Sequence, residues 1–186
     1  MGADGPVGVV VMAYGTPASA AEVEALGRAV AARFGAPHIV FNNAGVAAGG
    51  LIWETTLADW EWVIGVNLMG VAHGVRVFTP LMLGAADKDP HYEGHIVNTA
   101  SMAGFAAPIG AGAGAYAATN AAVVSVSESL AHECRSDGVV VWVVSPSGVD
   151  TPILGHNPAP PVPQGHVAPP SPALPTLCAS PAHRLG

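Results

Sequence analysis

Short β-rich apolar runs alternate along this chain with longer helical segments, and this alternation constrains its fold more than any other feature. Four runs are predicted as buried strands: residues 7–12, 38–41, 95–99 and 138–144. Three segments between them are predicted as helices: residues 20–34, residues 57–83 with an interruption near Asn67, and residues 116–134. Strands that alternate with helices form βαβ units, in which the strands run parallel. We therefore expect an α/β fold, with a mainly parallel sheet of about four strands and helices on both faces.

The composition restricts the class of protein. At 186 residues the chain has the length of one domain, and 51% of its residues are hydrophobic while only 10% are charged. The formal net charge is -7 and the basic residues do not cluster, which argues against binding to nucleic acid or to anionic membrane surfaces. No apolar run reaches the roughly 18 residues of a membrane span. We expect neither a nucleic-acid partner nor a membrane partner.

The chain start and the cysteines bear on the cellular compartment. The first residues contain no basic region that leads into an apolar stretch, so no export signal is predicted. Two cysteines, Cys134 and Cys178, are too few for a disulfide framework, and we expect both to be reduced. The sequence therefore predicts a cytoplasmic protein.

The character of the sequence changes at residue 155. Nine of the 32 residues from 155 to 186 are proline, and no hydrophobic period continues there. Such a segment cannot bury enough apolar surface to offset its conformational entropy. We predict one domain over residues 1–154 and a disordered Pro-rich tail over residues 155–186. The histidines of the tail have no metal-ligand spacing, and no metal site is predicted.

Polar residues that could carry chemistry follow the predicted strands in a fixed order. A turn of Asn43, Ala44 and Gly45 follows the second strand, and Asn67 lies 24 residues after Asn43 inside an apolar helical run. Ser101 follows the third strand, and Tyr116 comes 15 residues later at the start of a helix. Taken singly, these residues also fit plain structural roles as a strand-end turn, a satisfied buried amide, a loop serine and a helix-start aromatic.

In this order the motifs resemble the short-chain dehydrogenase/reductase family, and the resemblance covers residues 7–152. It implies a partial Rossmann-like fold, NAD or NADP as cofactor, and hydride transfer to or from an alcohol or ketone. It also implies a homo-dimer or tetramer that forms through the helices at 57–83 and 116–134. The residues implied to bind the cofactor are Asn43, Ala44, Gly45, Tyr116, Pro146, Ser147, Gly148, Val149 and Thr151.

The resemblance also implies the catalytic roles. Tyr116 would be the acid/base, Ser101 would bind the substrate oxygen, and Asn67 would hold a water molecule in the proton relay. The family has a lysine four residues after the tyrosine, where this chain has Asn120. A free phenol has a pKa near ~10, and a neighbouring positive charge lowers it, so an uncharged amide at this position impairs the acid/base. Ser147 likewise stands where the family has glycine.

The start of the chain departs from the family as well. Family members open with a strand, a Gly-rich turn and a helix whose N-terminus binds the pyrophosphate, and no such segment occurs before residue 7. We expect the chain to begin at the family's third strand. We further expect residues 7–12 to pair with residues 38–41, giving four strands in the order 1-2-3-4.

Three hypotheses about function are compatible with the sequence. The first is an oxidoreductase of this family whose activity is impaired by the absence of the phosphate loop and the lysine. The second is a non-catalytic pseudo-enzyme that acts at most as an oligomerising scaffold. The third is a gene fragment or a mis-assembled reading frame. The sequence does not identify a substrate.

Overall fold

A computed structural model describes residues 7–12, 19–106, 113–148 and 153. The strands are β1 (Val9–Met12), β2 (Ile39–Asn42), β3 (Gly94–Thr99) and β4 (Val139–Val144). The helices are α1 (Ala20–Phe34), α2 (Leu57–Val63), α3 (Met69–Ala86) and α4 (Gly114–Glu133). A π-helical turn (Ile64–Leu68) joins α2 to α3, and a 3₁₀ turn (Met102–Gly104) follows β3. The predicted boundary at residue 154 and the tail at 155–186 lie outside the described residues and stay predictions.

The four strands form one sheet, and all three strand pairs are parallel. Their order is β1-β2-β3-β4, as expected for an α/β fold in which each strand is followed by a helix. Val9 lies opposite Ile39 and Met12 lies opposite Asn42 in the β1–β2 register. The prediction that residues 7–12 pair with residues 38–41 is therefore confirmed.

The described helices cover one face of the sheet, whereas we expected helices on both faces. Val23 of α1, Phe78 of α3 and Leu130 of α4 pack in one core cluster with Val40 and Ile96, which are opposite each other in the sheet. Each crossover steps to the next strand in the same direction. Because such crossovers are right-handed, their helices lie on the same side.

The other face of the sheet carries the alternate residues of each strand. On that face Val11 is 59% exposed and Trp142 is 54% exposed. Parallel sheets usually have both faces covered, so an apolar face that remains open in the described part of the chain is unusual.

The predicted interruption of the long helix lies where the sequence placed it. Thr56 caps the N-terminus of α2, and Asp59 completes a capping box. The regular α-helix ends at Val63, and the π-helical turn contains the buried Asn67. A π-helical turn contains one more residue than a turn formed by α-helical hydrogen bonds. Such turns often occur at functional sites.

One helical stretch, from Leu57 to Ala86, is long and apolar enough to cross a membrane by length and composition alone. Phe78 and Met82 of this stretch have no exposed surface because they pack against the sheet. This packing is what a core helix requires, and the expectation that the chain has no membrane partner stays a prediction.

Candidate functional site

The predicted site residues meet at the carboxyl ends of the parallel strands. Asn43, Ala44 and Gly45 follow β2, and Ser101 follows β3 by two residues. Pro146, Ser147 and Gly148 follow β4. Because β2, β3 and β4 are neighbours in a parallel sheet, these three segments lie along one edge, which is where ligands bind in open α/β sheets.

Hydrogen bonds join the three segments to one another. The Thr99 hydroxyl donates to Asn43 Oδ1 at 2.8 Å, which ties the end of β3 to the turn after β2. The Met102 N–H donates to the Pro146 carbonyl at 3.0 Å, which ties the 3₁₀ turn to the segment after β4. The edge is therefore a connected structure and not a set of separate loops.

Ser101 caps the 3₁₀ turn with its own side chain. Its hydroxyl oxygen accepts a hydrogen bond from the Ala103 N–H at 3.1 Å, and its O–H donates to the Pro146 carbonyl at a long 3.5 Å. These contacts hold the hydroxyl between the ends of β3 and β4. The weak second bond leaves the O–H able to turn toward another acceptor.

Tyr116 and Asn120 lie one turn apart on α4. Tyr116 is in the first turn of the helix and is partly buried, whereas Asn120 is only 4% exposed. The Asn120 amide Nδ2–H donates to the Tyr116 backbone carbonyl at 2.7 Å. The side chain that stands in the family's lysine position is thus turned back onto its own helix and carries no charge.

The turn that contains Ser101 packs directly on this part of α4. A Cβ at Gly104 would lie 2.8 Å from the Ala121 backbone nitrogen and 2.8 Å from the Asn120 carbonyl carbon. Only glycine permits this approach of two backbones. Gly104 therefore sets the spacing between the Ser101 turn and the Tyr116 helix, a role that sequence analysis missed because the close approach exists only in the folded chain.

Asn67 connects the loop after β2 to α4. Its Oδ1 accepts from the Val46 N–H at 2.8 Å, and its Nδ2–H groups donate to the Val46 carbonyl at 2.9 Å and to the Thr119 hydroxyl at 3.2 Å. The amide is thereby satisfied although it is buried. The expected role in holding a water molecule stays a prediction.

A second buried polar chain, which sequence analysis also missed, runs beneath the site. Asn42 Nδ2–H donates to Asn98 Oδ1 at 2.7 Å, and Asn98 Nδ2–H donates to the Ser127 hydroxyl at 2.9 Å. The Ser127 O–H in turn donates to the Val123 carbonyl at 2.7 Å. These hydrogen bonds link β2, β3 and α4. Asn98 inside the third predicted strand, and Asn42 directly after the second, are the signal that could have revealed it.

The described site has no positive charge. Five of the six Lys and Arg residues lie in the described part of the chain: Arg28, Arg33, Arg76, Lys88 and Arg135. Arg76 pairs with Glu24 at 3.1 Å on the outer surface of α1 and α3. Three others, Arg33, Lys88 and Arg135, lie at or just after the C-terminal ends of α1, α3 and α4. These helix ends are on the side of the sheet where the strands begin, opposite the carboxyl ends of the strands that form the site.

Two of the helices that begin at the site edge, α1 and α2, carry acidic caps. Ser19 and Glu22 form a capping box on α1, as Thr56 and Asp59 do on α2. Hydrogen bonds from Ser19, first from its backbone N–H and then from its hydroxyl, lower the pKa of Glu22. These carboxylates occupy the N-termini of α1 and α2, which could otherwise attract an anion. Among the described residues, no group of three or more His, Cys, Asp and Glu could hold a metal ion.

Two predicted cofactor-binding residues, Val149 and Thr151, lie outside the described residues. The structure brings together all the other predicted segments at one edge of the sheet, with Asn67 joined to α4 through Thr119. Which of these residues contact a ligand stays a prediction.

Comparison with known proteins identifies the family. A family model described as short chain dehydrogenase matches residues 8–160. This chain belongs to the short chain dehydrogenase family. An uncharacterised NAD-dependent oxidoreductase of Mycobacterium tuberculosis is 40% identical over 122 residues, which cover 66% of this chain and 42% of that protein. The C alpha-dehydrogenase of Sphingobium sp. strain SYK-6 is 36% identical over 146 residues, covering 76% of this chain and 46% of the relative.

Solved structures agree with this assignment. A short chain dehydrogenase/reductase from Burkholderia phymatum, crystallised in complex with NAD, matches with a TM-score of 0.70 and 46% identity, over 77% of this chain and 49% of that one. A short-chain dehydrogenase structure from Novosphingobium aromaticivorans matches with a TM-score of 0.65 and 39% identity, over 73% and 48% of the two chains. The partial Rossmann-like α/β fold is thus confirmed. This chain spans about half the length of these relatives.

Proposed function

We propose that this chain carries the catalytic edge of an NAD(P)-dependent oxidoreductase for secondary alcohols or ketones, and that its turnover is impaired by Asn120. Membership of the short chain dehydrogenase family supports the reaction class. NAD in the matched Burkholderia structure supports the cofactor. The uncharged amide on α4 supports the impairment.

The described residues fit one half of the cofactor better than the other. The ends of β2 and β4 offer amide, hydroxyl and backbone groups, which suit the neutral nicotinamide and ribose. The pyrophosphate requires cations or free helix N-termini, and the described edge has neither beyond the uncapped start of α4. When bound, the cofactor supplies or accepts the hydride.

Each catalytic residue then has a limited task. Ser101, held by Ala103 and Pro146, would donate its O–H to the substrate oxygen. Tyr116 would give a proton to that oxygen or take one from it. Asn120 supplies no positive charge to stabilise the ionised phenol, so we expect the rate to fall by about 10²–10⁴-fold, the usual contribution of tuned acid-base catalysis.

The buried Asn120 amide is the observation on which the proposal depends, and its replacement tests the proposal. Asn120→Lys places a cation one turn from Tyr116, and Asn120→Met places a side chain of similar length without charge. We expect the lysine variant to oxidise NADH or NADPH with a panel of ketones at least about 10²-fold faster than the methionine variant. Equal rates in two folded variants would contradict the proposal.

A second candidate function is a non-catalytic, oligomerising pseudo-enzyme. The absence of any described cation at the strand ends favours it. The two candidates differ in cofactor binding, since the scaffold requires none. As part of the first proposal we place the protein in the cytoplasm, which the free, buried Cys134 supports.

A further inference from the structure

Dinucleotide cofactors usually bind where a parallel sheet reverses its strand order. At such a point the crossovers on the two sides run in opposite directions, and a crevice opens beside the carboxyl ends of the strands. The described sheet has the order β1-β2-β3-β4, and its crossovers all step the same way. The described elements therefore form no crevice of this kind for the phosphates of a dinucleotide.

Cations that could hold a phosphate are scarce in the whole sequence. Only six residues are Lys or Arg, and the one beyond the described residues, Arg184, is the third residue from the end of the chain. The formal net charge is -7. A phosphate that approaches this protein therefore enters a negative field that few cations offset.

A carboxylate closes the helix that borders the site on the β1 side. The Asn43 N–H donates to the Met12 carbonyl at 2.9 Å, so the end of β1 lies beside the predicted cofactor turn. At the N-terminus of α1, Glu22 Oε2 accepts from the Ser19 N–H and from its hydroxyl, each at 2.8 Å. These bonds, the backbone bond most of all, hold the pKa of Glu22 below its usual value. The carboxylate is therefore ionised at neutral pH.

The first turn of α1 lies near the carboxyl end of β2. Val23 belongs to the same core cluster as Val40, which precedes Asn43 by three residues. The uncapped start of α4, in contrast, carries Tyr116, which belongs to the nicotinamide side of the proposed site. A ligand group at the ends of β3 and β4 therefore meets neutral residues, whereas a group that extends toward β1 meets a negative charge.

We propose that this chain binds a nicotinamide riboside more tightly without a phosphate than with one, and that Glu22 is the residue that discriminates between the two. This preference rests on the proposed function, because the nicotinamide side of the site must bind. A nicotinamide beside Tyr116 and Pro146 directs the rest of the cofactor past the Asn43 turn toward β1, where Glu22 repels the phosphate. One exposed pair of like charges changes an affinity by about 2–5-fold.

Two reduced nicotinamide compounds test the proposal, because they differ by one phosphate only. These are the neutral riboside and the mononucleotide, each titrated into the full chain and followed by nicotinamide fluorescence. We expect the riboside to have a dissociation constant about 2–5-fold lower at low salt. The difference should disappear near about 1 M NaCl, where the screening length falls to about 3 Å.

Glu22→Gln tests the assigned residue. Glutamine can also complete a capping box with Ser19, but it carries no charge. We expect this variant to bind the mononucleotide about 2–5-fold more tightly at low salt and the riboside as before. Glu24→Gln is the control, because it removes the same charge from the same helix at a residue that pairs with Arg76. It should change neither dissociation constant.

The possible failures can be told apart. Binding of the mononucleotide that is as tight as that of the riboside, or tighter, would overturn the preference and leave the proposed function standing, since other groups would then hold the phosphate. Equal effects of Glu22→Gln and Glu24→Gln would overturn the role of Glu22. A folded chain that binds neither compound would overturn the proposed function together with the preference.

Discussion

Asn67 shows how one buried amide can hold the site together. It bonds both backbone groups of Val46, which is itself 2% exposed. Asn67→Ala leaves a buried N–H and a buried C=O without partners, so we expect the free energy of unfolding to fall by about 3 kcal/mol. Urea denaturation measures this loss. Asn43→Ala, which changes an exposed side chain, is the control and should cost less than about 1 kcal/mol.

Tyr92 makes stability depend on pH in the alkaline range. Its hydroxyl donates to the Pro37 carbonyl at 2.5 Å, and burial raises its pKa from 10.0 to about 12. Because the folded-state pKa lies above the unfolded value, the neutral phenol stabilises the fold. This contribution is complete below pH 10 and is lost as the pH rises through about 12. Urea midpoints measured from pH 9 to 12 should fall less steeply in Tyr92→Phe; identical slopes would contradict the assignment.

Local sequence was sufficient to nominate candidate site residues but not the bonds that hold them. Asn67, Ser101, Tyr116 and Asn120 are candidates because their order along the chain resembles a family pattern. Ser127 was not found, since its bond to Asn98 joins residues 29 positions apart and has no local signature. Hydrogen bonds between distant residues depend on the packing of elements, which short-range patterns do not encode.

At the scale of elements, the side-chain hydrogen bonds from Asn42 through Asn98 to Ser127 join two strands to α4. Ser127→Ala removes the acceptor of the Asn98 amide, and Asn98 has no exposed surface on which water could replace it. We expect a loss of about 1–3 kcal/mol in the free energy of unfolding. Ser125→Ala changes an exposed serine of the same helix and should be nearly neutral. Equal effects of the two substitutions in urea denaturation would contradict the assigned role.

The contact between the 3₁₀ turn and α4 gives a prediction at the same scale. In Gly104→Ala the new Cβ meets backbone atoms of Asn120 and Ala121, which cannot move without displacing the helix. We expect a destabilisation of about 1–3 kcal/mol, and a larger change in the environment of Tyr116 than of Tyr92. Thermal unfolding and tyrosine NMR shifts measure the two effects.

Gly70→Ala is the control for that substitution. Apart from its chain neighbours and the backbone of its own helix, a Cβ at Gly70 has no atom within 4 Å, and the residue lies in α3. We expect a stabilisation of about 0.5–1 kcal/mol, because alanine loses less backbone entropy than glycine in a helix. A stabilised Gly104→Ala would show that the Ser101 turn does not pack tightly on α4.

At the scale of the whole molecule, periodicity was sufficient to predict the parallel sheet, whereas the strand order was predicted from the family resemblance together with crossover handedness. The alternation of strands and helices requires crossovers, and their handedness leaves few topologies. The same rule also determines the side on which the helices lie, yet we expected helices on both faces. Complete parallel sheets usually have both faces covered. Hydrophobic periodicity shows that a strand is apolar, but it does not show which element packs on each face of the sheet.

At the scale of the whole molecule, we propose a cofactor site that has groups for the nicotinamide and, in the described part of the chain, no cation for the phosphates. Titration of the purified chain with NADH and with NADPH, followed by nicotinamide fluorescence, tests this claim most directly. We predict saturable binding with a dissociation constant on the order of 10⁻⁴ M, tightened by Asn120→Lys and not by Asn120→Met. A folded protein that shows no saturable binding up to millimolar cofactor would contradict the account and favour the non-catalytic scaffold.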